Sequence, residues 1–261
     1  MKMAEGIFER LEIKYLLSES QYNLLRDRLV GYMQDDEYGL STISSIYFDT
    51  DNYDVIRTSL EKPVYKEKLR LRVYGKVKDD SKAFLELKKK YEGVVYKRRV
   101  VLTLKEAMDY LNKGIYPVED SQILREIDYF IKMYKPTRGT YIAYDRIAMY
   151  GLEDKDLRIT FDKDIRVSFD RNSIVPPEDV KPVTKEGERL MEIKAQGAMP
   201  LWLTSALSEL RIYPVSFSKY GMAAKTYLDY GRKSVAMNLR AAEDAQKIVN
   251  VQTQEGAVYV R

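Results

Sequence analysis

The chain has 261 residues, 45% hydrophobic and 32% charged, with a formal net charge of +4; that suffices for a sizeable core, while the charge is too mild to argue for nucleic acid by itself. With no cysteine and no histidine, disulfides, zinc–thiolate sites, imidazole bases and histidine-activated nucleophiles are excluded, leaving carboxylate, lysine, arginine and tyrosine chemistry with oxygen-seeking ions such as Mg²⁺ or Mn²⁺. No run approaches the ~18 apolar residues of a membrane span and the start, MKMAEGIFERLEIKY, lacks a signal-peptide core, so a cytoplasmic location is expected.

In chain order, a first strand is predicted over 7–16. A helix follows, announced by the Ser18/Gln21 capping box and the apolar stripe Tyr22, Leu25, Leu29 and Met33. Period-two alternation then predicts strands near 42–49, 65–75, 82–90 and 94–102, the last two joined by a short turn at Tyr91-Glu92-Gly93. Thr103 with Glu106 repeats the capping box before Met108 and Leu111, and Gly114 marks the end of that helix. SQILREIDYFIKMYKP reads as a helix stopped near Pro136. Strands are predicted over 138–149, 156–168 and 188–195, with a proline- and charge-rich loop at 170–187, and helices over 200–211, 218–231 and SVAMNLRAAEDAQKIV. The 22 tyrosines suit a β-rich domain. The expected organisation is a main domain over 1–233 and a helical extension or tail over 234–261.

Residues two apart on a strand share a face. In KEKLRLRVYG, Lys68, Arg70 and Arg72 lie on one side and Leu69, Leu71 and Val73 on the other. One such strand alone is better explained by a wet sheet face than by anion binding, because antiparallel sheets commonly alternate apolar-in and polar-out. The pattern recurs, however: Arg10, Lys14, Arg70, Arg72, Lys88, Lys97, Arg99, Arg146, Arg158 and Lys194 stand against only Glu12, Glu86 and Glu192. Ten cations against three carboxylates, in a chain of net +4, means that basic charge is segregated onto one surface. Such crowding is tolerated mainly when a multivalent anion is the occupant, and guanidinium forks and ammonium groups are the usual partners of phosphate oxygens. The three carboxylates either hold a divalent ion beside that anion or balance charge. The fold class expected is α+β and β-dominated: an eight-stranded antiparallel barrel forming a tunnel with a charged interior, helices packed outside.

Competing uses of the same residues find less support. A single-strand nucleic-acid platform needs exposed rings among the cations, and the cationic faces of strands three to five have almost none. There is no Walker-type loop and no GxGxxG. Asp162 and Asp164 are assigned to a turn between strands, Glu61, Lys62 and the 76–82 run to solvated loops, and Trp202 to helix packing with Leu203, Leu207 and Leu210.

The ordered series RLEIKY (10–15), SIYFDT (45–50), KLRLRVYG (68–75), FLELKKK (84–90), YKRRV (96–100), YDR (144–146), LRITFD (157–162), LMEIK (190–194) and SKY (218–220) resembles the vacuolar transporter chaperone (VTC) domain, over nearly the whole chain. That family belongs to the triphosphate tunnel metalloenzymes, in the CYTH-like superfamily. The resemblance implies a polyphosphate polymerase that moves the γ-phosphate of ATP onto a growing chain with Mn²⁺ or Mg²⁺. It implies catalytic cations at Arg70, Arg72, Lys88, Arg146, Arg158 and Lys194, further phosphate contacts from Lys14, Lys97, Tyr144, Ser218 and Lys219, and a metal ligand at Glu192; the shared face adds Arg99 to the phosphate-binding set. Ser218 and Lys219 sit at a predicted helix start, where free N–H groups also favour phosphate. The wider superfamily begins with a Glu-x-Glu-x-Lys strand, whereas here the matching residues are Arg10, Glu12 and Lys14; the missing carboxylate favours the VTC branch over triphosphatases and cyclases. The alternatives are a metal-dependent inorganic or nucleoside triphosphatase and a non-catalytic polyphosphate-binding subunit. Expected partners are ATP and inorganic polyphosphate or triphosphate, not nucleic acid. Without a sensor domain or membrane helices, the chain resembles the stand-alone catalytic domain of a prokaryotic relative, any membrane partner being a separate protein.

Overall fold

The computed structural model describes residues 10–227, other than 62, 93, 118–119 and 170–172. All eight predicted long strands form: β1 (Arg10–Leu17), β3 (Ser41–Asp49), β4 (Tyr65–Tyr74), β5 (Lys82–Tyr91), β6 (Val94–Thr103), β7 (Arg138–Gly151), β8 (Arg158–Ser168) and β10 (Arg189–Gln196). Two short strands that alternation cannot reveal at their length, β2 (Met33–Asp35) and β9 (Lys181–Pro182), pair with β7 and β8 respectively. The long strands make one antiparallel sheet in the order β1-β10-β8-β7-β3-β4-β5-β6, curled into a half-barrel. Among the described residues β1 and β6 are not paired with each other.

The curl puts the apolar faces outward, against helices. Leu69, Leu71 and Val73 of β4 and Leu85 and Leu87 of β5 are fully buried against Ala107 and Tyr110 of α3 (Leu104–Lys113) and Leu124, Ile127 and Phe130 of α4 (Gln122–Tyr134). At the other end Leu17, Ile159, Phe161, Met191 and Ile193 pack against Leu25 and Leu29 of α1 (Glu19–Leu29) and Leu203 and Leu207 of α5 (Leu201–Glu209). Each such side chain contributes about 1.5–3 kcal/mol on burial. With the first cluster taking the odd-numbered residues of β4 and β5, and the second those of β8 and β10, the even-numbered cations are committed to the concave side.

The predicted caps appear as read. Ser18 and Thr103 both make reciprocal capping boxes, with Gln21 and Glu106, and Gly114 ends α3 at φ 68°. Trp202 packs where expected, stacked on Tyr32 at 4.2 Å between centroids. Helix α2 (Asp54–Leu60) was not anticipated, because its N-terminus has no local side-chain cap. The donors of Val55 and Ile56 go instead to Asp49, at the end of β3. Asp162 corrects the turn assignment: it lies within β8, fully buried, and Asp164 sits in the same strand at φ 50°, where the β7–β8 register shifts. The chain divides after Met222. A last helix, α6 (219–227), begins at Ser218, whose hydroxyl accepts from the Gly221 N–H. The helix predicted over 234–249 and the tail to 261 lie outside the described residues, as do residues 7–9 of the first predicted strand and Gly93 of the β5–β6 turn.

Candidate functional site

The concave face encloses a cavity of about 350 Å³, toward the small end of ligand sites, which run from about 300 to 1,000 Å³. Its wall carries Lys68, Arg70 and Arg72 from β4, Lys88 from β5, Lys97 from β6, Arg146 from β7, Lys194 from β10, Lys14 from β1 and Lys219 from α6, against three carboxylates, Glu12, Glu86 and Glu192. Most small-molecule pockets are predominantly apolar; this one is built for a compact polyanion.

Cross-strand register explains which charges meet. Arg70, Glu86 and Arg99 form one row across β4, β5 and β6. The Glu86 side chain, 1% exposed, takes Arg70 Nε at 2.5 Å, Arg99 Nη2 at 2.5 Å and Lys97 Nζ at 2.8 Å. Burial works to raise its pKa, but Arg70, Arg72 and Lys97 hold the carboxyl well below the usual range. Glu86 is therefore saturated by cations and organises them. The next row is Lys68, Lys88 and Lys97, with Lys68 and Lys88 directly opposite each other, an arrangement of like charges that destabilises a sheet. Among the described residues neither Lys68 nor Lys88 forms a salt bridge. Burial lowers the pKa of Lys68, and Lys88, Lys66 and Arg70 push it further down against the opposing pull of Tyr47.

Arg72 is the sharpest case. It is 7% exposed, and its guanidinium meets only hydroxyls: Ser45 Oγ at 3.3 Å, Tyr144 at 3.2 Å and Tyr74 at 3.4 Å. Among the described residues no carboxylate pairs with it directly; Glu86 feels its charge only at longer range. Arg146, by contrast, is paid back by Asp162, which accepts from Arg146 Nε at 2.6 Å and Nη2 at 2.8 Å and also takes Lys219 Nζ at 2.5 Å. Asp162 was missed as a functional residue, although alternation from Arg158 places it on the concave face.

On the opposite wall Lys14 lies between Glu12 (3.5 Å) and Glu192 (3.6 Å), and Lys194 contacts Glu192 at 2.7 Å. Burial raises the Glu192 pKa, but Lys194, Lys14 and Lys219 bring it below the ordinary value. No group of three or more metal-ligating side chains occurs among the described residues.

Of the residues expected from the sequence, Lys14, Arg70, Arg72, Lys88, Lys97, Tyr144, Arg146, Glu192, Lys194, Ser218 and Lys219 are brought together around the cavity. Arg99 lies just behind, bound to Glu86 and 4.7 Å over the Phe84 ring. Arg158 faces the same side, opposite Lys194, but is exposed, with its guanidinium 5.9 Å over Tyr150 rather than in the cavity wall. Lys68, Tyr47 and Tyr220 join the wall without having been selected. Tyr47 accepts from Arg70 Nη1 at 2.9 Å; burial raises its phenol, yet Arg70, Arg72 and Lys68 bring it down to about 7.

The architecture has solved counterparts. An adenylyl cyclase candidate from Hippeastrum, described as having a dominant triphosphatase activity, matches with a TM-score of 0.54 at 18% identity over 84% of this chain and 96% of its own. Adenylate cyclase candidates from Bacillus halodurans (TM-score 0.46, 15% identity, 80% of this chain and 93% of that one) and Vibrio parahaemolyticus (0.46, 11%, 84% and 99%) are more distant. No curated protein sequence matches. The model of the VTC domain family matches residues 9–228, which span every strand and every cavity residue described above, and the chain belongs to that family.

Proposed function

We propose that the cavity binds the triphosphate of ATP and transfers its γ-phosphoryl group to the end of an inorganic polyphosphate chain. The observation that carries this reading is Arg72, a buried guanidinium without a carboxylate, beside the unpaired Lys68–Lys88 row. Buried cations without paired carboxylates are costly, and a chain of phosphates supplies several negative charges spaced to meet them together.

In the transfer, a terminal oxygen of the acceptor phosphate attacks the γ-phosphorus in line; a new P–O bond forms as the bond to the β-phosphate bridging oxygen breaks, and ADP leaves. The acceptor oxygen is already ionised, so no base is required and the lack of histidine is no obstacle. Catalysis of this kind rests on positioning and charge stabilisation. Arg70 and Arg72 lie on adjacent turns of the pleat and bracket the equatorial oxygens; Lys88, Lys97 and Lys194 hold flanking phosphates. Tyr144 positions Arg72, Asp162 orients Arg146 and Lys219, and Glu86 keeps Arg70 aimed into the cavity.

The donor set fits a divalent ion carried largely by the substrate. Mg²⁺ is commonly held by one or two carboxylates plus phosphate oxygens, and Glu192, with Glu12 across Lys14, provides that much. Glu192 and Glu12 would hold such an ion, Mg²⁺ or Mn²⁺, whose chemistry when bound would be to neutralise charge on the phosphates.

Hydrolysis in the same cavity is the second reading, favoured by the likeness to the Hippeastrum protein. Glu12 would then orient the attacking water. Incubation with ATP and Mn²⁺, followed by separation of chain from free phosphate, discriminates the two. Long chains with equivalent ADP support transfer; free phosphate with no chain supports hydrolysis; tight polyphosphate binding without turnover would make the protein a binding subunit. No helix among the described residues is long and apolar enough to cross a membrane, and a cytoplasmic enzyme, with any membrane partner a separate chain, is the setting proposed.

A further inference from the structure

Two consecutive side chains at the start of α6 are anchored in opposite directions. Lys219 reaches Asp162 of β8, at 2.5 Å, and lies 4.4 Å over the Tyr144 ring. Tyr220 reaches back to β3, where its hydroxyl donates to Asp49 Oδ2 at 2.6 Å. Its ring, 2% exposed, stacks on Tyr47 at 4.6 Å with an interplanar angle of 17°. Tyr47 is in turn the acceptor for Arg70. The chain arrives at this corner from the free edge of β1, where Pro214 bridges Tyr15 and the Val215 N–H donates to Lys14 O at 2.7 Å. It therefore links β1, at one end of the strand order, to β3 on the far side of β7.

Asp49 is fully buried and is already committed to its own neighbourhood. It accepts from the N–H groups of Thr50 (2.8 Å), Val55 (2.8 Å) and Ile56 (3.0 Å). Those bonds fix the carboxylate at the junction of β3 and α2, so the Tyr220 bond ties the start of α6 to a post that is held independently.

We propose that Tyr220 is a positioning residue: through its hydroxyl on Asp49 it holds the Ser218–Lys219 corner in the cavity wall, and so sets the affinity for the triphosphate. The ligand-binding groups are Ser218 and Lys219; Tyr220 acts through them. This rests on the triphosphate reading above. Because the ring stacks on Tyr47, Tyr220→Phe keeps the packing and removes only the hydroxyl, while Asp49 retains three backbone donors, so the variant is expected to fold.

The test is a double-mutant cycle on Tyr220→Phe and Lys219→Ala, with inorganic tripolyphosphate and Mg²⁺ titrated calorimetrically, together with amide hydrogen exchange over 217–222. Tyr220→Phe alone is expected to weaken binding roughly 10- to 150-fold, the scale of one hydrogen bond to a charged group, and to speed exchange at the Gly221 and Met222 amides. In the Lys219→Ala background the same change should weaken binding several-fold less than in the wild type, since only the part of its effect that runs through Ser218 remains. Effects that multiply fully, or unchanged affinity in Tyr220→Phe, overturn the assignment, because a merely structural residue gives additive losses. If the wild-type protein binds no tripolyphosphate, the triphosphate reading fails on its own; exchange still decides the anchor, and unchanged exchange in Tyr220→Phe refutes it.

Discussion

Arg72 offers the most exposed prediction of this account, because it ties stability and binding together with opposite signs. Its guanidinium is buried among the hydroxyls of Ser45, Tyr74 and Tyr144. Burial and the neighbouring Arg70 oppose its charge, but Tyr144, Tyr47 and Tyr74 outweigh them and hold its pKa above the ordinary value. Replacing such a group by Arg72→Met, which fills similar space without charge, removes a desolvation cost that no paired carboxylate offsets; by analogy with buried charges exchanged for apolar residues, stability should hold or rise by about 1 kcal/mol. Binding should move the other way. A guanidinium making one or two charge-assisted bonds to phosphate, each worth about 1.5–3 kcal/mol, accounts for roughly 2–4 kcal/mol, or about 30- to 1,000-fold in affinity at 1.4 kcal/mol per tenfold. Arg72→Lys should recover only part of this, since an ammonium lacks the planar fork. Thermal unfolding and calorimetric titration with tripolyphosphate measure both quantities on the same samples. A less stable Arg72→Met with undiminished affinity would refute the reasoning, for it would make Arg72 a structural residue.

Other expectations follow from the same charges. Glu86→Gln removes the centre of a cluster whose outer members, Lys97 and Arg99, are more than a third exposed; discounting for solvent screening, we expect a loss of about 2 kcal/mol in chemical denaturation at neutral pH. Because the folded pKa of Glu86 is depressed, its contribution is complete above the ordinary carboxylate pKa and is lost as pH falls toward the folded value; the wild-type advantage over Glu86→Gln should therefore shrink in acid. The Tyr47 phenol, brought down to about 7, should show tyrosinate absorbance near neutral pH that Tyr47→Phe abolishes. Its depressed pKa makes its contribution complete above about 10 and lost as pH falls through about 7, so stability relative to Tyr47→Phe should rise between those values. Glu192→Ala should leave metal-free tripolyphosphate binding in place while abolishing turnover and the gain in affinity that Mn²⁺ confers; turnover at the wild-type rate would remove Glu192 from the metal role.

Much of the site was legible because strands report their faces directly. Once Leu69, Leu71 and Val73 are assigned to a core, Lys68, Arg70 and Arg72 have nowhere to go but the other side, and the same logic holds for β5 and β10. Capping boxes at Ser18 and Thr103 were equally local and equally readable. What escaped was long-range. Helix α2 takes its cap from Asp49, five residues before its first residue and on another element, so no local motif announces it. Asp162 resembled a turn residue by composition, and only the pairing of β8 with β7 and the approach of Lys219 reveal it as the counter-charge of two cations. Arg158 shows the converse limit: alternation gives the face of a side chain but not its depth along the barrel, and Tyr150 holds it away from the cavity wall.

The most direct test of the central claim uses ATP labelled at the γ-phosphate, with Mn²⁺ and a short polyphosphate primer, and follows where the label goes. Transfer predicts label in lengthening chains with ADP formed in equal amount, and loss of both in Arg70→Ala. Label appearing only as free phosphate, at the rate of ADP formation and regardless of primer, would contradict it and make the cavity that of a hydrolase.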